Sequence, residues 1–308
     1  MTMPVIEVTD FRKTYGGFVA VDGISFDVQQ GEIFGLLGPN GAGKTSTLES
    51  LEGLRAPDGG SLRVAGIDPA REPRKLQSLI GVQLQSSGLP DSITVDESMK
   101  LFCAYRGVPP RLDLLKRLGL SDKRDAQYHS LSAGQQRRLV LVLAIAHDPN
   151  VLFLDEPTAG LDVPSRVELH NLMNELRTAG TTIILATHDM AEAEEMSDRV
   201  AILMGGRIAT VGTPREITAT GAGLTKISVR TQGTGLSGAS VTFPAVSRTA
   251  QEGDYSIFFS TDIGPTVAAI IAHVEDTNDS LIDLRVERPS LEDRFLEIAD
   301  AANTQGGR

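Results

Sequence analysis

The chain has 308 residues, 41% of them hydrophobic, and a mean hydropathy of −0.05, which is enough to bury one large or two ordinary domains. Its net charge is −11 and the acidity is spread along the chain, so a general affinity for nucleic acid and a polybasic grip on membranes are both excluded. One cysteine, Cys103, excludes an internal disulfide and a thiolate-rich metal site, and it reads as a small buried hydrophobe on a helix.

The N-terminus, MTMPVIEVTD, has no basic stretch followed by an apolar one, so no signal peptide is read there. Apolar runs such as Leu139–Ala146 are far too short to span a bilayer. A cytoplasmic chain is expected. Val5–Val8 alternates like a short strand, and Ala20–Val28 contains another that ends at a Gln30–Gly31 turn. Between them, Arg12–Phe18 (RKTYGGF) reads as a loop in which the ring of Tyr15 is free to stack on a purine base.

Next comes the stretch with the most chemistry. Glu32–Leu37 (EIFGLL) reads as a buried strand, Gly38–Ser46 (GPNGAGKTS) as a glycine loop, and Thr47–Leu54 as the start of a helix. Strand, loop and helix are the context a phosphate-binding G-x-x-x-x-G-K-[ST] motif requires, and Gly38, Gly43, Lys44 and Thr45 fill it. Glycines let the backbone bend tightly and aim N–H groups at phosphate oxygens, and a helix N-terminus adds positive potential. Lys44 would reach the outer phosphates of a nucleoside triphosphate and the Thr45 hydroxyl would ligate Mg2+.

Ser61–Ala65 reads as a strand, Arg71–Leu79 as a helix and Leu79–Leu84 as a further strand before the loop Ser86–Pro90. Thr94 caps a helix with Glu97 three residues on, and Arg111–Leu118 and Gln135–His147 carry helical spacing. A mostly helical insertion, about 86–148, thus interrupts an α/β pattern. Asn150–Asp155 (NVLFLD) reads as a central parallel strand whose carboxylate end lies where open α/β sheets bind ligands. Asp155 is placed to hold Mg2+, and Glu156 to activate a water as general base. Pro164–Ala179 reads as a helix. Thr181–Ala186 is another buried strand, running into His188, which can reach a terminal phosphate. The other histidines, His129, His147, His170 and His273, have no such setting and read as structural.

Ser130–Leu139 (SLSAGQQRRL) resembles the LSGGQ signature of ABC-type ATPases, with Ser132, Ala133, Gly134 and Gln135 in its places. GPNGAGKTS, LFLDEPTAGLD and ATHD occur in that family's order, and the resemblance covers Val5–Ala219. It implies an α/β P-loop NTPase fold: a RecA-like core with a β subdomain and a helical subdomain. It also implies a role for each motif residue. Tyr15 would stack on adenine, and Gly38, Pro39, Asn40, Gly41, Ala42, Gly43, Lys44, Thr45 and Ser46 would cradle the phosphates of ATP. Gln85, with Gln83 as the off-by-two alternative, would touch Mg2+ or water and couple to a membrane partner. Ser132–Gln135 would bind the γ-phosphate of ATP held by a second subunit, so that two copies close around two ATP. Ala159–Asp162 would cross that interface. Ala133 departs from the usual glycine; every catalytic position is otherwise present.

From Gly205–Val211, a strand closing the core, and Pro214–Thr220, a last helix, the chain passes a boundary at Gly221–Gly223. An ATP-binding domain over 1–220 and a small α+β domain over 221–308 are expected. In the latter, Lys226–Thr231, Ser240–Phe243, Ser256–Ser260 and Leu281–Glu287 read as strands, Pro265–Val274 and Ser290–Ala299 as helices, and Asn303–Arg308 is expected to be disordered. Pro289–Glu297 (PSLEDRFLE) resembles the C-terminal motif of the daunorubicin-resistance type of ABC ATPase, which serves exporters of drugs, antibiotics or lipids. That resemblance implies an exporter ATPase working on a separate membrane permease, attached through it to the inner face of the membrane. The domain itself is expected to aid dimerisation or regulation. An importer ATPase with a regulatory C-terminal domain, a soluble non-transport ABC ATPase and a nucleotide-binding regulator without turnover are the alternatives.

Overall fold

A computed structural model describes residues 4–84, 88–219, 224–233, 236, 242–287 and 289–306, with side chains as far as 299. The chain divides into two compact units, Met1–Pro214 and Arg215–Arg308. Among the described residues no helix is long and apolar enough to cross a membrane.

In the first unit, β1 (Ile6–Tyr15) and β2 (Phe18–Val28) form an antiparallel hairpin, with Tyr15 opposite Phe18 across Gly16 and Gly17. Tyr15 is therefore the last residue of a strand, where the sequence suggested a loop from Arg12 onward. Two consecutive glycines supply the positive φ angles (52° and 92°) that so tight a turn needs. After β3 (Ile33–Leu37) and α1 (Lys44–Leu51), β4 (Gly59–Val64) pairs with the free edge of β1, giving the order β2-β1-β4.

Then come α2 (Pro73–Gln77), β5 (Ile80–Gln83) and the helical stretch: α3 (Val95–Arg106), α4 (Leu112–Arg117), two short 3-10 turns and α5 (Ala133–Ile145). Thr94 caps α3 with the reciprocal Glu97 contact read from the sequence. β6 (Val151–Asp155), α6 (Val163–Thr178), β7 (Thr182–Thr187), α7 (Met190–Met196), β8 (Arg199–Met204) and β9 (Arg207–Gly212) complete the main sheet. Its order is β5-β6-β7-β3-β8-β9, with only β9 antiparallel. β8 (RVAILM) was not anticipated; it is buried on both faces and flanks β3.

Strand alternation divides the core. Ile33, Leu152, Leu154, Ile183 and Leu185 face α5, α6 and the helical stretch, where Met99, Leu115, Leu139 and Cys103 complete one cluster. Phe34, Val151, Phe153, Ile184 and Ala186 face the other way, onto α1 and the small sheet, with Ile6, Phe11, Val21 and Leu48. The rings of Phe26 and Phe34 stack at 5.1 Å between the two sheets. With both faces covered, the central strands read as unbroken apolar runs.

Helix α8 (Pro214–Ala219) starts at the last residue of the first unit and continues into the second in sequence. The second unit is an antiparallel sheet ordered β11-β12-β10-β13: β10 (Thr225–Thr231), β11 (Val246–Glu252), β12 (Tyr255–Ser260) and β13 (Leu281–Glu287). Helix α9 (Ile263–Asp276) packs Ile270 and Val274 on Ile227, Val229 and Phe258. β11 was missed because it is a polar edge strand with no apolar alternation, and part of the strand expected at Ser240–Phe243 lies outside the described residues. Helix α10 (Leu291–Gly306) continues past the expected end at Ala299.

One buried acid stands out. Glu52, just after α1, is 2% exposed and neither carboxylate oxygen has a hydrogen-bond partner among the described residues. Burial, with Asp155 and Glu49 adding repulsion, pushes its carboxyl from an ordinary 4.5 up to about 8. Between those values the folded chain keeps a proton that the unfolded chain has lost, so folding stability falls as pH rises through that window. Thermal melts of the wild type and Glu52→Gln from pH 5 to pH 8 should diverge, the wild type losing on the order of a few kcal/mol more than the variant.

Candidate functional site

Every element of the site follows from where the central strands stop. β3 ends at Leu37 and the chain turns through Gly38–Gly43 into α1, with Gly43 as N-cap at φ 103°. A Cβ at Gly43 would lie 2.6 Å from the Ala20 carbonyl oxygen, and one at Gly38 would lie 2.4 Å from that of Leu203. The loop is thus wedged against β2 on one side and β8 on the other.

Lys44 is buried, and its Nζ donates to the carbonyls of Gly38 (2.6 Å) and Pro39 (3.3 Å). Burial holds its pKa below the usual lysine range, opposed by the attraction of Glu156 and Asp155. Thr45 Oγ1 donates to Asp155 Oδ2 at 3.2 Å, joining the start of α1 to the end of β6. Burial raises the Asp155 carboxyl above its ordinary range; the Thr45 bond pulls it down and neighbouring Glu156 pushes it up.

Glu156 has φ 52°, a left-handed conformation unusual for a side-chain-bearing residue. Three contacts hold it there. Its amide donates to Ala186 O at 2.8 Å, Oε2 lies 2.7 Å from His188 Nδ1, and its carbonyl accepts from the Arg137 guanidinium. Arg137 also donates to Ala159 O at 2.7 Å, so one α5 side chain ties down both ends of the Glu156–Ala159 turn. Sequence reasoning missed Arg137, because nothing local marks an arginine aimed at backbone carbonyls about 20 residues away.

A cavity of about 480 Å³ opens over the loop, lined by Tyr15, Phe18, Ala20, Pro39–Ser46, Asp155 and Glu156. Phe18, 64% exposed, was also missed, although the YGGF hairpin places it beside Tyr15. The Tyr15 ring is approached by Lys13 Nζ (5.5 Å) and the Arg55 guanidinium (5.6 Å). His188 stands at the end of β7 with an exposed side chain.

The structure therefore gathers Tyr15, the glycine loop, Lys44, Thr45, Asp155, Glu156 and His188. Ser132, Ala133, Gly134 and Gln135 line no part of this cavity. They start α5, where Ser132 Oγ accepts from the Gln135 amide and the Ser132 amide donates to Gln135 Oε1 at 3.0 Å. Gln85 lies outside the described residues. Gln83 is buried at the end of β5 in a different cavity, with Arg137 and Gly160. The Thr45 hydroxyl and Asp155 carboxylate form a hard-oxygen pair suited to a magnesium ion that takes its other ligands from phosphate and water.

The family model described as ABC transporter matches residues 21–159. A Nod factor export ATP-binding protein I from Ralstonia nicotianae is 35% identical over 304 residues, spanning 96% of this chain and 94% of that one. The protein of the same name from Paraburkholderia xenovorans is 40% identical over 238 residues, 74% of this chain and 77% of its own. Among solved structures, an ATP binding subunit of an ABC transporter superposes with a TM-score of 0.66 at 29% identity, covering 69% of this chain and 91% of that one. CbiO1 from Clostridium perfringens, part of the ABC transporter complex cbiONQ, superposes at 0.61 with 30% identity, over 70% and 91%. The cavity, its acids and these likenesses agree, and the chain belongs to the ABC transporter family as an ATP-binding, ATP-hydrolysing subunit.

Proposed function

We propose that the chain is the ATPase of an exporter and drives a separate membrane permease, which would hold it at the inner face of the membrane. The observation that carries this reading is the length of its likeness to a Nod factor export protein, which runs through both units and not through the ATPase unit alone.

Each site residue then has a task. The glycine loop and α1 amides grip the phosphates, Lys44 balances their charge, and Tyr15 with Phe18 offers the base a stacking surface. Mg2+, held by Thr45 and Asp155 with help from Gln85, would offset charge on the phosphate oxygens. Glu156 takes a proton from water as its oxygen attacks the γ-phosphorus; the bond to the β-phosphate oxygen breaks, and ADP and phosphate leave. His188 orients Glu156 and faces the γ-phosphate. Ser132–Gln135 belong to the other half of the machine, touching ATP held by a second copy. Their absence from the lining of this chain's own cavity supports that assignment. ATP then favours the closed dimer and its hydrolysis releases it, a cycle a permease can use.

Lys44→Ala should weaken ATP binding and abolish turnover, read by nucleotide titration and phosphate release. Glu156→Gln should keep ATP binding, lower turnover by about 10² to 10³-fold, and trap an ATP-bound dimer visible by light scattering. Turnover at the wild-type rate in Glu156→Gln would remove Glu156 as the base. A detergent pull-down with Glu156→Gln and ATP from native membranes should retain a multi-span membrane protein and no solute-binding subunit. Recovery of soluble partners alone would sink the transport reading and leave the ATPase chemistry intact.

A further inference from the structure

The sheet of the second unit ends in two edge strands, and they differ. β11 carries Ser247, Arg248, Thr249, Gln251 and Glu252, the polar cover expected of an edge left in water. β13 is bonded to β10 alone among the described strands and shows apolar side chains: Leu281, Ile282 and Val286 are all exposed, Ile282 by 52%. Ile282 is an extra residue, inserted where the pairing passes from Arg230–Asp283 to Thr231–Leu281. The outer N–H and C=O groups of an edge strand are a template for one more strand, and an apolar edge gives that strand something to bury.

The sequence of β13 says which strand fits. LIDLRVE matches itself when reversed about Leu284. Across a two-fold axis at that residue, Asp283 meets Arg285 of a second copy, and Arg285 meets Asp283 of that copy; Ile282 meets Val286, and Leu284 meets itself. The face-preserving registers on either side fail. Centring on Asp283 sets carboxylate against carboxylate. Centring on Arg285 sets guanidinium against guanidinium and Asp283 against Glu287. Like charges directly opposed are destabilising, so charge alone selects the Leu284 register. Within one copy the pair is already set: Arg285 Nε lies 2.9 Å from Asp283 Oδ2, and the Tyr255 hydroxyl donates to the same oxygen at 2.7 Å. The terminal nitrogens of Arg285 make no hydrogen bond among the described residues and are left to donate. In the paired sheet each carboxylate lies between two guanidiniums, its own and its neighbour's.

We propose that β13 pairs antiparallel with β13 of a second copy of this chain, joining two four-stranded sheets into one of eight strands. The pairing needs no nucleotide and stands apart from the ATP-driven closure proposed above. Two copies joined in this way meet ATP as neighbours, so that closure becomes an intramolecular step.

Two measurements on the full chain, freed of nucleotide and magnesium, test it. In the first, sedimentation equilibrium is run on the wild type, on Asp283→Arg, on Arg285→Asp and on an equal mixture of the two variants. The wild type should sediment at twice the 32.9 kDa of the chain. Each variant alone opposes like charges and should associate at least tenfold more weakly. The mixture restores both opposite-charge pairs and should recover the wild-type affinity, a rescue that misfolded variants cannot give. In the second, Asp283→Cys and Arg285→Cys chains are oxidised separately and together. Directly opposed residues lie within disulfide reach, so the mixture should yield at least tenfold more cross-linked dimer than either chain alone. A monomeric wild type, variants that associate as the wild type does, a mixture no tighter than its parts, or cross-linking no greater in the mixture each overturns the proposal. A wild-type dimer that forms only when ATP is added overturns it too and leaves the ATP-driven closure standing.

Discussion

The site depends on one constraint: parallel strands buried on both faces can place polar chemistry only where they end. β3, β6 and β7 lie side by side in one direction and terminate at Leu37, Asp155 and Thr187. Whatever follows them meets at one edge. That edge receives the glycine loop, the Asp155–Glu156 pair and His188, although the loop precedes the other two by more than a hundred residues in sequence. The alternation that splits the core into two clusters locks the register, since a slip by one residue would turn each strand's apolar set to the wrong face.

At that edge the electrostatics are balanced closely. Burial lowers Lys44 and raises Asp155, and each is opposed by the other. Glu156 is held by contacts from three directions: the Ala186 carbonyl on β7, His188 beyond it, and Arg137 from α5. Such crowding fixes a backbone conformation that an isolated residue would avoid.

The legible part of the chain was the part written locally. GPNGAGKTS, LFLDE and THD carry their meaning within a few residues, because phosphate binding needs a loop, a helix start and a strand end in immediate succession. The helix cap at Thr94 is equally local. What escaped was set by distant neighbours. β8 is a strand because β3 offers it a partner, and β11 because β12 does, so neither is announced by its own pattern. Tyr15 reads as loop until Val19 and Phe18 are seen to pair with Thr14 and Tyr15. Arg137 looks like one more charge on a helix until its two carbonyl acceptors are in view.

The glycine loop has a second identity. Because Gly38 abuts the backbone of β8 and Gly43 that of β2, the loop is the seam along which the antiparallel and the main sheet are fitted together. The nearest atom to a Cβ at either glycine would be a backbone carbonyl oxygen, of Leu203 or of Ala20, which has little room to yield. A ligand that grips this loop therefore also clamps the seam, and the energy of binding is spread into both sheets. By the same token, a larger residue at either position breaks the scaffold before it empties the cavity, so such a variant reports on assembly and not on affinity.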